Sequence, residues 1–123
     1  MRTTPRLRLG RRGERLAQRF LASQGYVIER TNVRFPVGEL DIVARDGHTL
    51  CFIEVRSASS AQWGGALATI TERKRRRIIQ AARWYLGGQA ALPPEIRFDV
   101  LAIDWHEGSA PTVELVRAAF DAG

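Results

Sequence analysis

The chain is poor in several residue types: among its 123 residues are one cysteine, one lysine, one methionine and two histidines. The single cysteine, Cys51, excludes an intrachain disulfide and any cysteine-based metal site. Its place inside an apolar strand pattern marks it as an inert buried thiol. No apolar run approaches the roughly 18–20 residues that a membrane-spanning helix needs. The opening "MRTTPRLRLGRRGER" is rich in arginine and short of acids, yet no hydrophobic segment follows it, so it does not read as a secretory signal. A cytoplasmic, reducing location without a membrane partner is therefore expected. Internal repeats and low-complexity tracts are also missing, which leaves a loose basic arm over residues 1–9 and one domain over 10–123.

What the chain has in excess is positive charge. Its formal net charge is +6 and its pI is about 10.9. Such a surplus favours a polyanionic partner, nucleic acid above all. Eighteen of the nineteen basic residues are arginine, and Lys74 is the exception. Apolar residues make up 45%, as in a folded globular protein.

Periodicity divides the chain into elements. Leu16, Ala17, Phe20 and Leu21 recur on one helical face from Gly10 onward, and Gly25 is a C-terminal cap. "YVIERTNVRF" reads as a strand that stops at Pro36. "VGELDIVAR" and "HTLCFIEVRS" read as a hairpin turning at Asp46-Gly47. After the "SASSAQWGG" loop, Thr69 and Glu72 have capping-box spacing at the head of a second helix. "IRFDVLAID" and "TVELV" form a second strand pair, and the closing "RAAFDAG" reads as one helical turn. The order α-β-β-β-α-β-β describes an α/β layer structure.

Four charged residues interrupt the hairpin. A two-residue turn at Asp46-Gly47 sets Glu39 opposite Glu54 and makes Asp41 and Glu54 diagonal neighbours about 7–8 Å apart. Leu40, Ile42, Cys51, Ile53 and Val55 then cover one face, with Glu39, Asp41, Phe52, Glu54 and Arg56 on the other. Converging carboxylates at that spacing suit one divalent cation. The plain alternative is that this face is wet and its charges are solvated. Glu14 lies at the edge of the first helix's apolar stripe, either solvated or turned toward the acids. Lys74 shares i, i+4 spacing with Ile78, so it is either a snorkelling stem or a cation aimed at a phosphate.

"GELDIVARDGHTLCFIEVRS" resembles the "GE-x-D…(F/V)-(V/I)-E-V-K" core of the YraN family, small bacterial proteins whose core is similar to that of the PD-(D/E)xK nucleases. That superfamily includes Holliday-junction resolvases and many restriction enzymes. The resemblance extends through "GERLAQRFLASQGYVIERTNVR", "ITERKRRRIIQAARWYL" and "IRFDVLAI". It implies a restriction-endonuclease-like three-layer fold, a mixed sheet with flanking helices, and a phosphodiesterase site using Mg²⁺ or Mn²⁺. Asp41 and Glu54 match the metal-binding acids, the Val55 carbonyl a further ligand, and Glu14 the helix acid of resolvase-like members. Glu39 matches the family's "GE". Arg56 stands where the superfamily usually has lysine. An arginine orients and stabilises charge but stays protonated and cannot act as a base. Lys74 is placed to supply part of that function.

The implied activity is hydrolysis of DNA phosphodiesters, with DNA favoured over RNA and branched or single-stranded structures as candidate substrates. Arg11, Arg12 and Arg15 in the first basic run, and Arg73, Lys74, Arg76 and Arg77 in the second, suit phosphate-backbone tracking. Trp63 is placed either to pack or to stack on a base. The resemblance to resolvases leaves a homodimer open. The rival readings are a nucleic-acid-binding protein that kept the fold without turnover, and a module whose basic surface binds an acidic protein.

Overall fold

A computed structural model describes residues 5–59 and 66–122. Its elements are α1 (Pro5–Ser23), β1 (Val27–Phe35), β2 (Gly38–Asp46), β3 (Thr49–Ala58), a 3-10 turn (Ala66–Thr69), α2 (Glu72–Gly87), β4 (Glu95–Asp104) and β5 (Thr112–Phe120). The order α-β-β-β-α-β-β is the one the periodicity predicts. The five strands form one mixed sheet in sequential order β1-β2-β3-β4-β5. Only the β3–β4 pair is parallel, and α2 lies in the crossover that joins those two strands.

Each face of the sheet carries a helix and its own core. Ala17 and Leu21 of α1 pack with Ile42, Ala44, Cys51, Ile53, Leu101 and Ile103. On the opposite face Ile78, Ala81, Ala82 and Tyr85 of α2 pack with Val43, Leu50, Phe52 and Phe98. Phe52 stacks on Phe98, Phe98 on Phe120, and Tyr85 meets Phe52 edge-on. Alternation along β3 explains both cores: odd positions face α1 and even positions face α2.

Four boundaries differ from the sequence reading. Helix α1 begins at Pro5, so residues 5–9, expected in a loose arm, are helical. Thr71 rather than Thr69 is the α2 cap, its side chain accepting the Lys74 N–H at 3.1 Å. The segment read as a closing helical turn continues β5 instead, because Phe120 stacks on Phe98 at 5.1 Å and the Ala118 N–H donates to Asp99. Finally, the hairpin turns at Gly47-His48, with Asp46 still paired to Thr49. Gly47 takes a φ of +64°, at the position where a type II′ hairpin selects glycine.

That one-residue change in the turn moves the register of the acids. Ile42 pairs with Ile53, so one more step brings Asp41 level with Glu54. They are direct rather than diagonal neighbours, and Glu39 is no longer opposite Glu54. Leu40 also leaves its expected group and joins the α2-side core. Asn32, lying between the residues paired to Leu40 and Ile42, has a φ of +52° that breaks the regular alternation there.

Candidate active site

Glu54 comes from the second half of β3 and is 3% exposed, the deepest charged side chain on the α2 face. Burying a carboxylate this far requires partners, and the chain supplies two cations. Lys74 Nζ lies 3.5 Å from Glu54 Oε2, and Arg56 Nη1 lies 3.3 Å from the same oxygen. Lys74 reaches Glu54 because α2 packs tightly on β2. A side chain at Gly38 would meet the Arg77 carbonyl at 2.9 Å, so only glycine permits this approach.

Asp41, from β2, is partly buried beside Glu54. Its Oδ2 accepts the Val55 N–H at 2.9 Å. Burial, then the charge of Glu54, then a hydrogen bond to Glu54 push its pKa up to about 8, against the opposing pull of the Val55 N–H and Lys74. Asp41 is therefore held toward its protonated form at neutral pH. A nearby cation favours the ionised form of Asp41, and oxygen donors of this kind suit Mg²⁺ or Mn²⁺. The Val55 carbonyl leaves the same strand edge as its N–H. These groups fit a divalent ion held by Asp41, Glu54 and the Val55 carbonyl.

The other predicted residues lie around this pair. Glu39 sits 3.6 Å from Arg34 and shares with Lys74 and Arg77 the wall of a cleft between the β1–β2 turn and α2. Glu14 accepts a hydrogen bond from Asn32 at 2.9 Å. Among the described residues no three His, Cys, Asp or Glu side chains come together as a metal cluster, so Glu14 and Glu39 stand outside the Asp41–Glu54 pair. Arg11, Arg12 and Arg15 are exposed on α1, while Arg73, Arg76 and Arg77 are exposed on the first turns of α2. Arg76 is paired with Glu72. The two basic runs thus lie on helices that cover opposite faces of the sheet. Trp63 falls outside the described residues. No helix among the described residues is long and apolar enough to cross a membrane.

A second buried acid escaped the sequence reading. Asp99 on β4 is fully buried, on the α1 face. Arg97 forks onto both of its oxygens at 2.8 and 2.9 Å, the Tyr26 hydroxyl donates at 2.8 Å, and the Ala118 N–H donates at 2.9 Å. Arg97 also reaches Asp46 at 2.8 Å. Burial and the neighbouring Asp99 raise the Tyr26 hydroxyl to about 12, and burial followed by the charge of Asp99 does the same for the Cys51 thiol. Every Asp99 oxygen is occupied by chain donors, so this cluster ties strands together. The signal was available: "RFD" on β4 mirrors "EVR" on β3, an acid and an arginine two residues apart.

The stretches that build this site are those that carry the family resemblance. A chain from Desulfosudis oleivorans is 44% identical over 117 residues, covering 95% of this chain and 93% of its own. Another, from Anaeromyxobacter dehalogenans, is 45% identical over 113 residues, covering 92% and 84%. Both are UPF0102 proteins. The model of the uncharacterised protein family UPF0102 matches residues 13–103, a span that runs from α1 through the Asp41–Glu54 pair to β4. With its site residues inside that span and its relatives matching nearly end to end, the chain belongs to the UPF0102 (YraN) family.

Proposed function

We propose that this protein is a divalent-metal-dependent nuclease that hydrolyses phosphodiester bonds, with DNA favoured over RNA. The observation that carries this reading is the hydrogen-bonded Asp41–Glu54 pair, with Lys74 and Arg56 both on Glu54. It lies toward the carboxyl ends of the parallel strands β3 and β4, the edge at which open α/β sheets bind their ligands. An ion bound by Asp41, Glu54 and the Val55 carbonyl would supply an activated water and neutralise charge on the scissile phosphate.

The chain's own residues do the rest. Asp41 and Glu54 would hold the cation, Asp41 giving up its proton to do so. Lys74, with its stem against α2 and about a third of its side chain exposed, is free to turn its ammonium from Glu54 to a phosphate oxygen. Arg56 keeps a permanent charge beside Glu54 and stabilises the trigonal-bipyramidal phosphorane with its donors. Neither helix offers a base-reading motif, so recognition runs through the phosphate backbone.

The test is cleavage of linear, flapped and four-way-junction DNA with Mg²⁺ or Mn²⁺. Asp41→Asn and Glu54→Gln are each expected to lower the rate by at least about 100-fold. Wild-type protein that cuts no substrate, or variants that cut as well as wild type, would defeat the proposal. Binding without turnover is the second reading, favoured by the arginine at 56. It is separated from the first by salt-sensitive DNA binding that persists with no cleavage under any metal.

A further inference from the structure

A second feature lies on the α1 face, away from the carboxylate pair. The Arg12 guanidinium covers the Trp105 ring, 4.6 Å from its centroid. Trp105 follows β4, packs against the α1-side core and donates its indole N–H to the Ser57 hydroxyl. Arg12, Arg15 and Arg19 follow at intervals of three and four, so they form one stripe about 10 Å long on α1. With Leu16, Trp105 and Pro111 they line a cleft of about 280 Å³.

Among the described residues, none of Arg12, Arg15 and Arg19 is within ion-pair distance of a carboxylate, whereas Arg45, Arg56, Arg76 and Arg97 each have one. Glu107 lines an adjoining cleft together with Arg12 and His106, and Glu14 of α1 is bonded by Asn32. A guanidinium stacked on an indole and followed by two unpaired cations is a base-then-phosphate arrangement.

We infer that the Arg12–Trp105 stack and the Arg15–Arg19 stripe form a binding track for single-stranded nucleic acid, separate from the Asp41–Glu54 pair. A base stacks on the outer plane of Arg12, with Trp105 behind it, and the neighbouring phosphates lie along Arg15 and Arg19. A duplex keeps its base faces inside its own stack and leaves the platform nothing to hold. Ser57, which anchors Trp105, is three residues beyond Glu54 on β3, about 10 Å along the strand. The inference rests on the nucleic-acid reading above and names the form of substrate it favours.

The experiment is fluorescence anisotropy in EDTA, where no cleavage occurs, with a labelled oligothymidylate and a blunt duplex of equal length. Oligothymidylate is expected to bind at least about 10-fold tighter than the duplex. The Arg15→Ala/Arg19→Ala variant should lose at least about 10-fold on the single strand, and its salt slope should shrink by about 0.7 for each arginine removed. Arg12→Ala should lose a similar amount. All three positions are exposed, so folding is preserved, and Trp105→Phe should bind better than Trp105→Ala. Equal affinity for both forms, no binding of either, or variants that bind the single strand like wild type would each overturn the track. The nuclease reading falls only on the absence of metal-dependent cleavage, so the two fail separately.

Discussion

At Asp41 the sign of the pH dependence is opposite to that of an ordinary paired acid. Most buried carboxylates in proteins are stabilised as anions, and their proteins lose stability in acid. Asp41 is held protonated up to about 8 by burial and by Glu54, against an ordinary value of 3.8. Between those two values the folded state binds more protons than the unfolded chain, so stability falls as pH rises. The favourable contribution is complete below about pH 4 and lost once pH has passed 8. Thermal melts of the metal-free protein from pH 5 to 8.5 should therefore show a declining midpoint, and Asp41→Asn should flatten the decline. Mn²⁺ should restore stability most at the alkaline end, where it displaces the least tightly held proton. A midpoint that climbs with pH, unchanged in Asp41→Asn, would overturn the raised Asp41. The two cations on Glu54 differ in the same concrete way. Lys74→Ala is expected to cost on the order of 100-fold in cleavage, while Arg56→Lys should change the rate by less than about threefold, because a lysine already serves that carboxylate. A large gain from Arg56→Lys would instead identify the arginine as the limit on turnover.

Among the elements, β3 and β4 carry parallel signals that the fold uses differently. "EVR" on β3 and "RFD" on β4 each place an acid and an arginine on one strand face. Glu54 faces another acid and two partly exposed cations, whereas Asp99 is saturated by Arg97, Tyr26 and Ala118. Only the three-dimensional partners distinguish the proposed metal-binding acid from the structural one, which explains why sequence reading found the first and passed over the second. The element order and both apolar faces were legible because strand and helix periods are local. The hairpin turn was not, since Asp-Gly and Gly-His both make two-residue turns and the choice lies with Asp46, held in its strand by Arg97. The final segment was misread for a similar reason: "RAAF" has good helix formers, and Phe98 and Asp99, twenty residues away, decide its state. Removing that distant partner has a predictable effect. Asp99→Ala leaves the half-buried Arg97 with only Asp46 as counter-charge, and urea denaturation should show a loss of about 3 kcal/mol, compared with about 1 kcal/mol for Tyr26→Phe. A loss under 1 kcal/mol for Asp99→Ala would show that the cluster does not hold β4 and β5. Gly38→Ala tests the α2 contact. It should cost about 1–3 kcal/mol and slow cleavage further by shifting Lys74 away from Glu54.

Over the whole molecule, charge acts on stability and on binding with opposite signs. Nineteen basic and thirteen acidic side chains leave a net charge of +6 on a small body, and among the described residues Arg12, Arg15 and Arg19 of α1 have no carboxylate within ion-pair distance. Self-repulsion of that kind destabilises the folded state and is weakened by salt. The exposed pairs that salt would also weaken, such as Arg76 with Glu72 and Arg34 with Glu39, are worth about 0–1 kcal/mol each. The pairs that matter most, Arg97 with Asp99 and the cations on Glu54, involve acids sheltered from solvent and are screened least. Raising NaCl from 50 to 500 mM should therefore increase the melting midpoint by a few degrees. The same change should weaken nucleic-acid binding by orders of magnitude, because each phosphate contact then releases counterions into a more concentrated solution. A midpoint that falls with salt would mean that surface pairing outweighs repulsion. Binding that ignores salt would mean that the surplus arginines do not meet phosphate at all, and the basic surface would then belong to a partner other than nucleic acid.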